Sequence, residues 1–183
     1  MIYFCEKGFS ILKFFCQSIS MLREQLELAR INAWANKKIR ESLQTSFDEL
    51  KDVETPYGTF QELVYHIPTA IYFWLKRIGC AQYDLLPKEQ VKSVEELFNQ
   101  WEITDQALIT FVEQMEAENK PANHKFKYKT SKGLEFEITL ELILLQLNNH
   151  GSYHRGQLAY IVRSNNKPGL PATDALVYYR EKK

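Results

Sequence analysis

Two histidines spaced four residues apart, His150 and His154, are the side chains of this sequence best suited to chemistry. They lie in the segment NNHGSYHRGQLAYIVR (148–163), with one glycine before the second histidine and another after it. Residues four apart in an α-helix stack one turn above the other, so both imidazoles point the same way. They could hold a metal ion between them, or they could be buried polar side chains with hydrogen-bond partners. The spacing alone is a weak motif and leaves both alternatives open.

A third histidine, His66, lies in another segment with helical spacing. Its neighbours on the same face are apolar: Leu63, Ile67, Ala70 and Trp74. Helical bundles commonly build metal sites from side chains on facing helices. Two ligands from one helix and one from another would leave a fourth coordination position open, which is the pattern of catalytic zinc sites. A core histidine with a satisfied hydrogen bond is the competing interpretation of His66.

Several residues around the histidine pair could support such a site. Gln146 and Gln157 lie about one turn before and after it, where they could hydrogen-bond the imidazoles and fix their orientation. Gly151 and Gly156 each cost a helix about 1 kcal/mol relative to alanine, which suggests that another helix or a ligand approaches closely there. Arg155 lies one position away from the ligand face, and we expect it to anchor a contact between helices; contact with an anionic substrate is the alternative.

No other catalytic arrangement is visible in the sequence. It lacks a Ser-His-Asp arrangement, a nucleophile elbow and a phosphate-binding glycine loop. We expect His124 at the surface, so no residue is an obvious general base. Cys80 is expected to be a small buried residue. With only three cysteines in the chain, a disulfide framework is not indicated, which favours a reducing cytoplasm.

The length and net charge of the chain limit the classes of protein to which it can belong. The chain has 183 residues, enough for one domain with a sizeable core. Its formal net charge is zero, which argues against a nucleic-acid partner, and no apolar run has the length of a membrane span. Residues 1–20 have an apolar bias without a clear signal-peptide pattern. We therefore expect the natural start at Met21, with residues 1–20 a dispensable extension and residues 21–183 a single domain.

The periodicity predicts four long helices and one β-hairpin. Apolar spacing indicates a first helix over 21–46. Capping boxes at Thr59 and Ser93 open helices over 59–78 and 94–118, and Pro68 should bend the former. Alternating residues at 124–130 and 134–138 predict the hairpin, Thr139 should cap a fourth helix over 140–164, and a short helix is expected over 174–180. The predicted fold is all-α, a four-helix bundle with a small β-hairpin between helices 3 and 4.

Four segments of the sequence resemble the DinB-like family of metal-binding four-helix bundles. NHGSYHRGQLAYIVR is similar to the family's H-x-x-x-H-R-G-Q signature, and INAWANKKI (31–39) to its first helix. ELVYHIPTAIYFWLKRI (62–78) resembles its second helix, and PATDALVYYREK (171–182) its usual ending. Together they span nearly the whole chain from Met21.

The resemblance implies a metal site and a range of activities. The family's metal triad falls on His66, His150 and His154, the residues that the spacing also selects. The domain is similar to bacillithiol S-transferases and mycothiol-dependent isomerases, which use a divalent metal ion to activate a small thiol. The resemblance thus implies a zinc- or nickel-dependent thiol transferase, or a hydrolase, with a small-molecule substrate.

Two other functions compete with a metal-dependent enzyme. One is a non-catalytic metal-binding module, with a stress-related role suggested by the family's link to DNA damage. The other is a helical interaction protein with metal-free histidines. The hairpin edge and the aromatic-rich face are also compatible with a homodimer, which the sequence does not decide.

Overall fold

The computed structural model describes residues 6–56 and 58–182, with side chains described from residue 22 onward. The helices are α1 (Glu6–Leu43), α2 (Phe47–Leu50), α3 (Phe60–Arg77), α4 (Val94–Ala117), α5 (Leu140–Ser164) and α6 (Ala175–Glu181). Two antiparallel ladders are formed by β1 (Glu54–Thr55) with β2 (Gly58–Thr59), and by β3 (Lys125–Lys129) with β4 (Glu135–Thr139). The prediction of an all-α four-helix bundle with a hairpin between the third and fourth long helices is confirmed.

The four long helices pack around two apolar clusters stacked along the bundle. One cluster joins the second half of α1, the first halves of α3 and α4, and the end of α5. The other joins the described beginning of α1, the second halves of α3 and α4, and the beginning of α5. Helices α1 and α5 therefore run parallel to each other and antiparallel to α3 and α4. Helix α1 packs against α4 and α5, and helix α3 packs against the same two helices.

Local capping chemistry sets the starts of α3 and α4. Thr59 accepts a hydrogen bond from the Glu62 amide, and the Glu62 carboxylate accepts one from the Thr59 amide, so the predicted capping box is complete. At Ser93 only half of the predicted box forms. Its hydroxyl accepts from the Glu96 amide, but the Glu96 carboxylate accepts from the amide of Lys92 instead. The carboxylate reaches one residue further back, yet the helix begins at the predicted position.

The structure corrects several boundaries. Helix α1 begins at Glu6 rather than at Met21, and residues 1–5 of the expected extension lie outside the described residues. Between the predicted first and second helices, where no element was predicted, the structure has α2 and the ladder of β1 with β2. In that ladder Gly58 has a φ of 91°, a left-handed conformation that glycine adopts without steric cost. A four-residue helix and a two-residue ladder are too short to leave a periodic signal in the sequence, so neither was predicted.

The hairpin and α5 follow one another without a break. The register pairs Lys125 with Thr139 and Lys129 with Glu135. Thr139 occupies the N-cap position of α5, but its hydroxyl bonds the Glu141 carboxylate and caps no backbone amide, contrary to the prediction. Leu142 and Leu145, two apolar residues within the predicted fourth helix, are 50% and 59% exposed because their side of the helix faces away from both core clusters.

Among the residues described, no helix has both the length and the apolar character needed to cross a membrane.

Candidate metal centre

Three imidazole rings converge where α3 faces α5, between the two apolar clusters. His66 comes from α3, and His150 and His154 come from successive turns of α5. The Nε2 atom of His150 lies 3.0 Å from Nε2 of His66 and 3.1 Å from Nε2 of His154. One ring nitrogen from each of the three lies within 4.8 Å of the others. The structure thus brings together the three histidines that the sequence selected.

A hydrogen bond to Gln157 fixes the tautomer of His154. The Nδ1 atom of His154 lies 2.6 Å from Oε1 of Gln157. Because an amide oxygen only accepts hydrogen bonds, the proton is on Nδ1 and the Nε2 atom carries a lone pair. That lone pair is directed at the other two rings, where a cation can accept it.

The three rings differ in exposure. His154 is 4% exposed, His150 is partly buried, and His66 lies on the exposed side of the group. The Tyr153 ring meets the His154 ring edge to face, with 5.1 Å between centroids. The site is therefore deep on the α5 side and open to solvent beside His66.

The surroundings of the rings disfavour protonation. Burial, with smaller contributions from the nearby His154 and His66, lowers the pKa of His150 to about 4. Burial likewise lowers the pKa of His66 and of His154. Neutral imidazole is the form that binds a metal ion, so the three rings are held in the protonation state that could coordinate one.

A buried polar network lies directly behind the rings. Arg155 donates hydrogen bonds to the side-chain oxygens of Asn36 at 2.9 Å and Asn32 at 2.8 Å. Asn36 in turn donates to Asp105 at 2.7 Å, and Arg40 pairs with the same carboxylate at 2.8 Å. The network ties α1, α4 and α5 together at the level of the site. The predicted role of Arg155 as an inter-helix anchor agrees with these contacts.

Burial has the largest effect on the pKa values of the charged groups in this network. Burial raises the pKa of Asp105 to about 7, although Arg40 and Asn36 act against the shift. Burial lowers the pKa of Arg155 to about 10, and the Asp105 charge acts in the opposite direction. Burying these two charged groups therefore costs free energy, which their hydrogen bonds only partly offset.

Gly151 is needed because the Arg155 side chain folds back over it. A Cβ atom at position 151 would lie 3.1 Å from the Nη1 atom of Arg155 and 3.6 Å from Oδ1 of Asn32. The glycine therefore gives the guanidinium room beside the helix axis. At Gly156, by contrast, a Cβ atom would meet nothing within 4 Å.

The remaining predicted residues lie elsewhere or play no visible part in the ring cluster. Gln146 is exposed on α5, and its side chain has no hydrogen bond to a histidine ring among the described residues. His124 precedes β3, where its ring packs edge-on against Phe126. Cys80 is half-buried in the loop after α3.

Sequence reasoning missed Asn32, Asn36 and Asp105 as neighbours of the site. The signal was present in α1, where Asn32, Asn36 and Arg40 recur every four residues on one face of an otherwise apolar pattern. Their partner on α4, a single buried aspartate, has no such pattern and could be found only from the packing.

Fold and site together define a helical-bundle protein with a three-histidine candidate metal centre between two antiparallel helices. The chain belongs to the DinB family, whose model matches residues 21–174. Protein DinB of Bacillus subtilis (strain 168) is 25% identical over 166 residues, covering 85% of this chain and 94% of that protein. The family resemblance drawn from the sequence motifs is confirmed.

A solved structure has the same fold. The crystal structure of a DinB-like protein from Bacillus cereus ATCC 10987 superimposes with a TM-score of 0.63 at 21% sequence identity. The match covers 81% of this chain and 94% of that one. The bundle architecture is therefore shared over most of both chains.

Proposed function

We propose that His66, His150 and His154 bind a divalent metal ion, zinc or nickel, for chemistry on a small thiol. The observation that carries the proposal is the 3.0 and 3.1 Å spacing of the Nε2 atoms. Nitrogens bound to one ion at about 2.0–2.1 Å lie about 2.9 Å apart at a right angle and about 3.4 Å apart at the tetrahedral angle. The observed spacings fall between these limits, so the donor set fits one face of a metal's coordination shell.

The type of donor favours zinc or nickel over magnesium or calcium. In the described part of the chain the group contains imidazoles and no carboxylate or thiolate. Imidazole suits zinc, nickel, copper and iron, whereas magnesium and calcium prefer oxygen ligands. Three neutral ligands also leave the charge of the ion uncompensated, which favours an anionic group in the remaining position.

A bound ion would supply positive charge that lowers the pKa of a thiol or water in the open position. The chain's own residues hold and shield this position. Gln157 keeps the His154 proton on Nδ1, and the Tyr153 ring lies against His154 beside it. Asp105, the buried carboxylate behind the site, is bonded to Arg40 and Asn36 and is not part of the three-histidine group.

Among the described residues no carboxylate joins the three histidines, and this absence of a base within the group supports thiol transfer over hydrolysis. In S-transfer the S–H bond breaks and its proton goes to solvent. A new S–C bond then forms as the leaving group departs from the electrophile with its electron pair. Hydrolysis at neutral pH would more commonly use a second side chain to take the proton of water. A cytoplasmic location, inferred from the sparse cysteines, would supply reduced thiols.

The first experiment measures metal content by mass spectrometry of purified protein. We expect about one zinc or nickel ion per chain in the wild type, and loss of that ion in His66→Ala and His154→Ala. His124→Ala is the matched control and should keep the metal. A wild type that takes up neither ion on addition would exclude the proposed site.

The second experiment tests turnover with a panel of low-molecular-weight thiols, bacillithiol included, and a chromophoric electrophile. We expect a rate that depends on the metal and is lost in His150→Ala. A fully loaded protein with no turnover of any thiol, or of ester and amide substrates, would instead indicate a non-catalytic metal-binding module.

A further inference from the structure

A groove between α1 and α5 lies apart from the three histidines. Its volume is about 590 Å³, within the range of small-molecule sites. The segment before α6 forms one wall with Leu170 and Pro171, and Leu28, Ile31 and Ala159 contribute further apolar surface. Asn148, Ser152 and Arg155 bring polar groups to it. Apolar walls with a few convergent polar groups are typical of ligand sites.

Arg155 is an unusual group to find lining this groove. It is 7% exposed, and its guanidinium bonds the neutral oxygens of Asn32, Asn36 and Ser152. Within the part of the chain that the structure describes, no carboxylate forms an ion pair with it. The nearby Asp105, whose charge acts to raise the pKa of Arg155, is bonded to Arg40 and Asn36. Buried charges in proteins are normally paired with an opposite charge.

The hydrogen bonds of Arg155 leave donors available. A guanidinium has five N–H donors, and three bonds account for its contacts with Asn32, Asn36 and Ser152. A second arginine, Arg163, also lines the groove, while Asp174 is the one acidic residue among the lining residues described. The charge of the groove is thus complementary to an anion.

Gly156 opens the middle of the groove. It lies within α5, and a Cβ atom there would meet nothing within 4 Å. Glycine inside a helix costs about 1 kcal/mol relative to alanine. Unlike Gly151, it accommodates no contact within the described protein, which leaves space for an occupant from outside.

We infer that the α1–α5 groove binds a small carboxylic acid with an apolar tail, its carboxylate at Arg155 and its tail across Gly156. Both Nη2 hydrogens and one Nη1 hydrogen are used within the protein, so the carboxylate would accept one charge-assisted bond, from Nε–H or from the remaining Nη1–H. The tail would cover Ile31, Ala159 and Leu170. None of the three histidines lines the groove, so this inference does not rest on the proposed metal function.

The test is an NMR titration of the ¹⁵N-labelled full chain with octanoate, in EDTA and again with zinc. We expect saturable shifts at Ser152, Gly156 and Ala159 in both conditions. The uncharged octanamide, with the same tail, should bind at least tenfold more weakly. Binding of octanoate in EDTA with no zinc uptake would support the groove while contradicting the metal site.

Single substitutions test the apolar part and the charged part of the groove separately. Gly156→Leu fills the space and should weaken octanoate binding at least tenfold, whereas Asn149→Leu, on the exposed side of α5, should leave it unchanged. Arg163→Gln should weaken it about threefold. Arg155 need not be replaced, so loss of folding does not confuse the result.

Three outcomes would overturn the inference: equal binding of octanoate and octanamide, shifts confined to other surfaces, or a folded Gly156→Leu variant that binds octanoate like the wild type.

Discussion

The Nδ1 atom of His154 lies 2.6 Å from Oε1 of Gln157, three residues further along the same helix. This contact sets which nitrogen of His154 carries the proton, and so which one faces the other two histidines. The orientation of the buried His154 ring is thereby linked to one amide side chain outside the three-histidine group.

Replacing Gln157 should weaken metal binding without removing a ligand. We expect Gln157→Leu to lower zinc affinity about 10- to 100-fold, the usual effect of losing a hydrogen bond that orients a ligating histidine. Gln157→Glu keeps an acceptor oxygen and should retain most of the affinity. Competition with a chromophoric chelator measures both. Gln146→Leu is the control, and a Gln157→Leu variant with wild-type affinity would contradict the role.

The metal-free protein should lose stability as the pH falls from 6.5 toward 4. The pKa of His150 is about 4 in the folded protein against an ordinary value of 6.5. Between these values the unfolded chain binds more protons than the folded one, so the free energy of unfolding decreases with decreasing pH. Below about pH 4 this contribution no longer changes.

Urea unfolding in EDTA at pH 7 and pH 5 measures that slope. His150→Gln should lose less stability than the wild type between the two pH values, because glutamine does not titrate. His124→Gln, outside the cluster, should follow the wild type. An identical pH dependence in wild type and His150→Gln would show that the ring is not desolvated.

Removing the metal should lower the melting temperature. A ligand that binds only the folded state at about 1,000 times its Kd adds about 4 kcal/mol. For a chain of this size that corresponds to about 10 °C. We therefore expect a shift of this order between zinc-loaded and EDTA-treated protein in a thermal scan. His66→Ala should show the same melting temperature with and without zinc.

Alanine at the two glycines of α5 should change stability in opposite directions. Gly156→Ala meets open space and should stabilise the metal-free protein by about 1 kcal/mol through helix propensity. Gly151→Ala gains the same propensity but presses on the Arg155 guanidinium, which three hydrogen bonds hold in place. Losing one charged bond costs about 1.5–3 kcal/mol, so we expect a net loss of about 1 kcal/mol.

Urea unfolding of both variants at pH 7 in EDTA measures the difference. Stabilisation by both substitutions would mean that the Arg155 side chain can move away without cost.

The sequence by itself determined the long helices, because period 3.6 and capping residues act within a few neighbours. Helix α5 was predicted at its observed bounds, and the Thr59 capping box formed as expected. It also selected His66, His150 and His154, since a four-residue spacing and an apolar face are visible along the chain. Leu142 and Leu145 show the limit of this reasoning, because periodicity does not say which neighbour covers a given side of a helix.

The tertiary structure alone decided how the site is supported. The hydrogen bonds that join Asn36, Asp105 and Arg155 depend on which helices are neighbours. Asn36 lies 69 positions from Asp105 and 119 from Arg155, so no local sequence pattern links them. It also distinguished Gly151 from Gly156, which look alike in sequence. One lies beneath a buried guanidinium and the other beside an open groove, because only packing determines what occupies the space next to a glycine.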